Sequence, residues 1–526
     1  MPLGAQIISM TSHSYLSMAE TSCPSHLQVV TRGDRELKFK AGLLSLAEEL
    51  QFYILSFLPC QDILRCTSYI VELSGQQLLA VPDTDNYTPI SKRLQLLRDK
   101  AHTWFKFNSH SFETVSIPKE LCYANKIVTR GHLCLWDQDL AAIIPTLPKS
   151  PQNTVERWQR TLSSVISVPH SDKLDVFMDP AQNLIVVAYV VDETLHIDLR
   201  ALDGDGVHPQ AAGSRLFLSG LEEYGEHHVD TESANFKGLG RHIALRRISL
   251  SFDMWQLQIW DWQHSTTSNC FLSGDLDPID FCFLGNNRTL VVRDALKLYS
   301  IEDMSLMPQL LACFLMPIPL LPTQCFLPTE LQMQAQQTYI SNPEHQLLCM
   351  TTFLDETFSE NESFVSIIST RIFFDLDGMA VAMPIPWNRW GPSNTRIFKH
   401  NWEWKVHLSG NRVLQAFPVG TSDLGPIHYK LHIMDFSPLA VTNRRGLGRV
   451  VKEPSTIDIG DFTDSSQETQ SLTTSLPYVE VVSDREFKVE ELEDIWIDKD
   501  RIYLLLVNRE SNHPLELSRK LGVFVV

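Results

Sequence analysis

The chain has 526 residues, 44% of them hydrophobic and 20% charged, the balance of a soluble globular protein with room for a large core or two to four domains. Its formal net charge of −19, without any long Lys/Arg run, argues against nucleic-acid binding, because a surface that neutralises phosphates needs clustered cations. No stretch reaches the ~20 uninterrupted apolar residues of a membrane helix, and the ten cysteines stand apart with no CxxC pair, so neither a disulfide framework nor a zinc site is expected.

Residues 1–40 are polar, with Ser, Thr and His mixed in, and are expected to form a disordered arm. They have neither the basic start nor the sustained apolar core of a secretory signal, so the expected location is the cytoplasm, the nucleus or both. A helical segment is expected over residues 41–107. Its first helix places Leu46, Leu50, Tyr53, Ile54 and Phe57 on one stripe. Pro59 stops that helix, and Asp62 is suited to cap a second one that opens with Ile63 and Leu64. Further on, Leu94, Leu97, Ala101, Trp104 and Phe105 share a face, as in a linker helix that packs the segment against the downstream chain.

The stretch Leu43 to Cys66 resembles the first half of an F-box. Leu46-Ala47-Glu48-Glu49-Leu50 stands where that family has a Leu-Pro-x-Glu-Leu start, and Pro59 to Leu64 matches its Leu-Pro-x-x-Asp-Leu-Leu turn. Ala47 replaces a proline, and Tyr69 follows Cys66 where the family inserts a third helix, so the box looks truncated. The resemblance implies docking on the adaptor subunit of a cullin-RING ubiquitin ligase through Leu46, Leu50, Ile54, Leu58, Pro59, Ile63 and Leu64.

Residues 108–526 change texture. Short runs rich in Val, Ile, Leu and aromatics recur between Gly, Pro, Asn and Asp turns, and they pair naturally as hairpins: 183–191 with 194–202, 242–250 with 255–263, 280–301, 345–353 with 363–374, 412–419 with 428–436, and 501–508 with 521–526. So many strands with so little helix predict a mainly β fold, and a β-propeller rather than a sandwich, of about six or seven blades. Leu257 to Trp262 (LQIWDW) is the best single marker. It resembles the strand end of WD-type blades, where a tryptophan packs between sheets and an aspartate caps the turn; Leu135-Trp136-Asp137 is a second, weaker one.

Four stretches resemble a group of F-box proteins from mushroom-forming fungi. They are Asp179 to Leu184, His208 to Ala211, Met383 to Arg396 with its Pro-Trp-x-x-Trp-Gly-Pro core, and Thr474 to Tyr478 with Glu480 and Val481. The implied role is a substrate receptor that is not an enzyme, with the helical segment on the adaptor and the propeller on a protein substrate. The rival expectation is a non-catalytic propeller scaffold whose degenerate box no longer meets the adaptor.

Catalytic and metal motifs give little. His196 and Asp198 share a strand face and His227-His228 lies near acidic residues, but a hydrogen-bonded strand histidine and a solvated loop explain them better than a metal does. Gly238-Leu239-Gly240-Arg241 and Gly446-Leu447-Gly448-Arg449 read as turns rather than phosphate loops. The carboxylates around Glu490 to Asp494 are expected to be solvated, and no cofactor, metal or catalytic residue is assigned. Trp387, Arg389, Trp390 and Arg396 combine residue types common at binding hot spots. They suit either a substrate pocket or a packed corner turned by Pro384, Pro386 and Pro392.

Overall fold

The structure is a computed structural model. It describes residues 59–81, 88–106, 112–118, 125–129, 131–137, 139–146, 158–165, 172–192, 194–204, 206–218, 234–249, 254–275, 279–317, 321–326, 339–353, 363–376, 383–400, 405–422, 425–442, 448–458, 471–488, 491–509 and 517–525. The expected arm and the first helix of the box fall outside them. Met1–Leu64 and Arg65–Val526 are separate compact units; of the first, the described residues are 59–64.

Helix α1 spans Cys60–Gly75. It starts earlier than the sequence suggested, because the Pro59 carbonyl already accepts from the Asp62 and Ile63 amides. Asp62 therefore sits in the first turn rather than at the N-cap, where its charge still opposes the positive end of the helix dipole. The helix runs without a break across the Cys66 to Tyr69 join. Tyr69, Glu72 and Leu73, spaced as one face, are its buried residues. Gln77, at φ 57, then turns the chain into strand β1, Leu78–Ala80. Helix α2, Ile90–Phe105, follows Pro89 and buries Leu94, Leu97 and Trp104.

The rest is a β-propeller of seven blades. Blades 1 to 5 begin at Asn125, Asp172, Asn235, Asp280 and Leu321, and each is a four-stranded antiparallel sheet. Blade 6 begins at Lys405 and takes its fourth strand, Tyr478–Lys488, only after a long excursion from Asp435. Blade 7 consists of Leu492–Ile497, Arg501–Arg509 and Leu517–Val525, completed on its outer edge by Glu113–Ser116 from the other end of the ring. First strands of successive blades adjoin around the axis, as those of blades 2 and 3, 3 and 4, 4 and 5, and 6 and 7 do.

Packing explains why the number is seven rather than six. Seven apolar clusters lie between successive sheets, and the last joins blade 7 (Trp496, Tyr503, Leu505) to blade 1 (Val128, Leu133, Ala142), so the ring closes on itself. Strand Leu184–Val191 shows what this demands. Its first six residues are all buried, since a strand packed on both faces cannot alternate. Each predicted hairpin is present, including the turn after Val191, where Asp192 takes a φ of 47.

The two Trp-Asp sites differ. Trp260-Asp261 ends the third strand of blade 3, as a WD-type blade would have it. Trp260 is fully buried between blades 2 and 3, with its indole N–H on the Phe217 carbonyl at 3.1 Å. Asp261 holds Arg241 at 3.3 Å and His264 at 2.8 Å. By contrast, Trp136-Asp137 ends the second strand of blade 1, where Asp137 accepts from the Asp139 and Leu140 amides and closes a turn.

Candidate functional site

Among the expected adaptor-docking residues, Leu46, Leu50, Ile54 and Leu58 lie outside the described residues. Pro59 is exposed, Ile63 is half-buried and Leu64 is 67% exposed. Farther along α1, Ile70 and Val71 are 60% and 58% exposed, an outward apolar pair not expected from the sequence. Its signal is nonetheless there: in Tyr69-Ile70-Val71-Glu72-Leu73 a helix can turn only some of the apolar side chains inward.

The inward side of α1 is Tyr69 and Leu73, packed on Leu94 and Leu97 of α2 with Leu78 and Tyr339 beside them. Buried Glu72 pairs with Arg98 at 3.1 Å. Several contacts fasten this pair of helices to the ring. Strand β1 pairs antiparallel with Tyr339–Ser341, which lies between the first two strands of blade 5. The Asn342 amide donates to the Gln77 carbonyl, Lys499 donates to the Tyr339 carbonyl and stands over its ring, and Lys100 pairs with Asp500.

The four candidate substrate-binding residues separate. Trp387 to Asn394 is a short helix after Pro386. Trp390 is 1% exposed, in the seam between blades 4 and 5, with its N–H on the Leu315 carbonyl at 3.1 Å. Arg396 is 4% exposed, donates to the Glu453 carbonyl at 2.9 Å and lies over the Tyr478 ring. Trp387, edge-on to Trp390 at 4.7 Å, is half-buried, and Arg389 is exposed. Trp387 and Arg389 are thus the two with surface to offer.

The stretches that carried the fungal resemblance come together in two places. Asp179 caps its turn at the Ala181 amide, and Gln182 donates to the Gly240 carbonyl, which also accepts from the Trp262 indole. His208 meets the Gln182 carbonyl at 2.7 Å and stands edge-on to Trp262. Likewise the Ser475 amide donates to the Pro392 carbonyl and the Ile397 amide to the Thr474 hydroxyl. These motifs fasten neighbouring blades.

Ionisable groups inside the ring follow the same pattern. Asp198 is buried, accepting from Arg215 at 2.9 Å and from the Tyr189 hydroxyl at 3.1 Å; burial first, and Arg215 second, hold the neighbouring His196 imidazole below its usual range. Asp175 reaches from the first strand of blade 2 to the Phe236 amide of blade 3 at 2.8 Å, and burial raises its pKa to about 6. Burial pushes His242 and His407 down to about 4. Glu493, expected to be solvated, instead bridges Lys126 and Arg519; burial pushes its pKa up, but the hydrogen bonds and charges of the two cations together outweigh that and lower it. Gly240, at φ 58, is in a hairpin turn as expected. Among the described residues no three His, Cys, Asp or Glu side chains are grouped to hold a metal. His227, His228 and residues 443–447 lie outside them.

No protein-family model matches the chain, and comparison with curated proteins finds no relative. Solved structures that resemble it include Drosophila Semaphorin 2a, at 9% identity over 79% of this chain and 75% of that one, TM-score 0.35. The N-terminal domain of Nup159 resembles it at 10% identity over 80% and 97%, TM-score 0.31. Kluyveromyces lactis Hsv2p does so at 7% identity over 58% and 89%, TM-score 0.29. The blade count rests on the strand order and the seven seams, not on these likenesses.

Proposed function

We propose that the chain is a non-catalytic protein-interaction platform of the cytoplasm or nucleus, and more specifically a substrate receptor of a cullin-RING ubiquitin ligase. The helical segment would dock the ligase adaptor while the ring holds a protein substrate. What supports this reading is a helical pair fastened to the ring whose α1 turns Ile70 and Val71 outward, next in the chain to a stretch that resembles an F-box. A receptor of this kind works by proximity. It supplies a fixed distance between a substrate lysine and a charged conjugating enzyme, with no acid, base or nucleophile of its own.

The deciding experiment is capture of the full-length protein by the purified adaptor subunit of a cullin-RING ligase. Capture that Leu50→Asp with Ile54→Asp abolishes supports the receptor; absent or unaltered capture sinks it. The second reading, a propeller scaffold with a degenerate box, draws on the missing third-helix sequence and on α1 turning Tyr69 and Leu73 onto its own neighbour. It expects no adaptor capture from a folded, monodisperse protein.

A further inference from the structure

The seam between blades 6 and 7 contains a layer that comes from outside the ring. Trp104 of α2 is packed there with Leu414 and Tyr429 of blade 6 and with Ile495 and Ile502 of blade 7. The Arg412 guanidinium stands 4.8 Å from its indole. One turn earlier on α2, Lys100 pairs with Asp500, in the turn between the first two strands of blade 7. Phe112 also packs on the ring, its phenyl 5.2 Å from that of Phe524 and 4.9 Å from the Arg485 guanidinium. The next four residues, Glu113–Ser116, are the strand that completes blade 7, paired with Lys520 to Val523. Gly522 opposes Thr114, and a Cβ there would press on Phe112 at 3.2 Å.

A strand of four residues grips weakly. Glu113, Thr114 and Ser116 are exposed and Val115 is half-buried, so its hydrogen bonds do little more than offset the entropy of ordering it. What keeps it on the open edge of Leu517–Val525 lies at its two ends: on one side Ile117, buried in the seam between blades 7 and 1 with its amide on the Arg519 carbonyl, and on the other seated α2, which acts as a tether. We propose that α2 and the closing strand form a single two-point clasp: the ring is closed while the helix is seated, and the two release together. Whatever lifts α2 then uncovers the edge of blade 7, and a partner that binds the seated helices tightens the ring by linkage.

Hydrogen exchange on the full-length protein tests this. Trp104→Ala should accelerate exchange about a hundredfold in peptides covering 113–116 and 517–525, as expected for truncating a buried tryptophan. Strands Leu184–Val191, His242–Ser249 and Arg288–Val292 should stay at the wild-type rate. Lys100→Ala, which removes a partly exposed ion pair, should accelerate the same peptides about threefold. Acceleration confined to α2, or spread evenly over all blades, overturns the clasp. Should Trp104→Ala not fold, exchange of the unaltered protein in rising denaturant decides: one shared opening for 90–105 and 113–116 supports it, and separate openings overturn it.

Discussion

The ring and the helical pair differ in what they do with aromatic and branched side chains. In the ring the conspicuous residues point inward to the seams: Trp260, Trp262 and Trp390 are buried between blades, each with its N–H on a backbone carbonyl. On α1 the apolar side chains divide, Tyr69 and Leu73 inward, Ile70 and Val71 outward. Distinctive sequence in the ring therefore reports joints, whereas surplus apolar surface on the helix reports a face without a partner among the described residues.

If that contrast holds, Trp262→Ala should be the most damaging single change. It removes a buried indole that packs against His208 and donates to the Gly240 carbonyl, so urea unfolding should show a loss of about 3–5 kcal/mol. Trp390→Ala should cost about as much; a loss under about 1 kcal/mol for either would break the view that these tryptophans are joints. Arg215→Ala should cost about 2 kcal/mol, because the buried Asp198 carboxylate loses its nearest cation and keeps Arg200 only at 3.7 Å. Pairing it with Asp198→Asn should recover part of the loss in a double-mutant cycle, and strict additivity would show that the two do not interact.

Asp175 sharpens the comparison through pH. Its folded pKa of about 6 lies above the roughly 3.9 of an unfolded aspartate, so the folded state binds the proton more tightly. The resulting stabilisation is complete below about pH 4 and is lost as pH rises through about 6, on the order of 2–3 kcal/mol in all. Asp175→Asn should flatten the difference in urea midpoint between about pH 4.5 and about pH 7; an undiminished difference would assign it to other groups. The smallest effect is expected on α1. Ile70→Ser with Val71→Ser should shift stability by no more than about 0.5 kcal/mol, while reducing capture by the adaptor if this face docks it. A large loss of stability would mean that the pair is covered in the folded chain.

The hairpins were legible because each is local: two apolar runs and a turn containing Gly, Asn or Asp declare themselves within about 20 residues. Blade number was not, since blade 7 takes Glu113–Ser116 from far upstream and blade 6 its fourth strand from beyond a long excursion. No periodicity announces such pairings. Of the candidate sites, Trp390 and Arg396 were recognisable as unusual, but nothing in their order distinguishes a pocket from a packed corner. That distinction lies in which carbonyls they reach, Leu315 and Glu453, and is tertiary. The carboxylate Glu493 looked solvated because its neighbours in sequence are acidic, while its neighbours in space are Lys126 and Arg519. Ile70 and Val71 were harder to read because a run of apolar residues from Tyr69 to Val71 does not itself say which of them a helix turns inward.

The closing strand also sets a clock. Glu113–Ser116 is made before its partners Lys520 to Val523, which follow roughly 400 residues later, at typical elongation rates about 20 to 80 s. Through that interval the strand has no edge to join. The nascent protein is an open arc of growing length, and it can become a ring only once Leu517–Val525 has emerged.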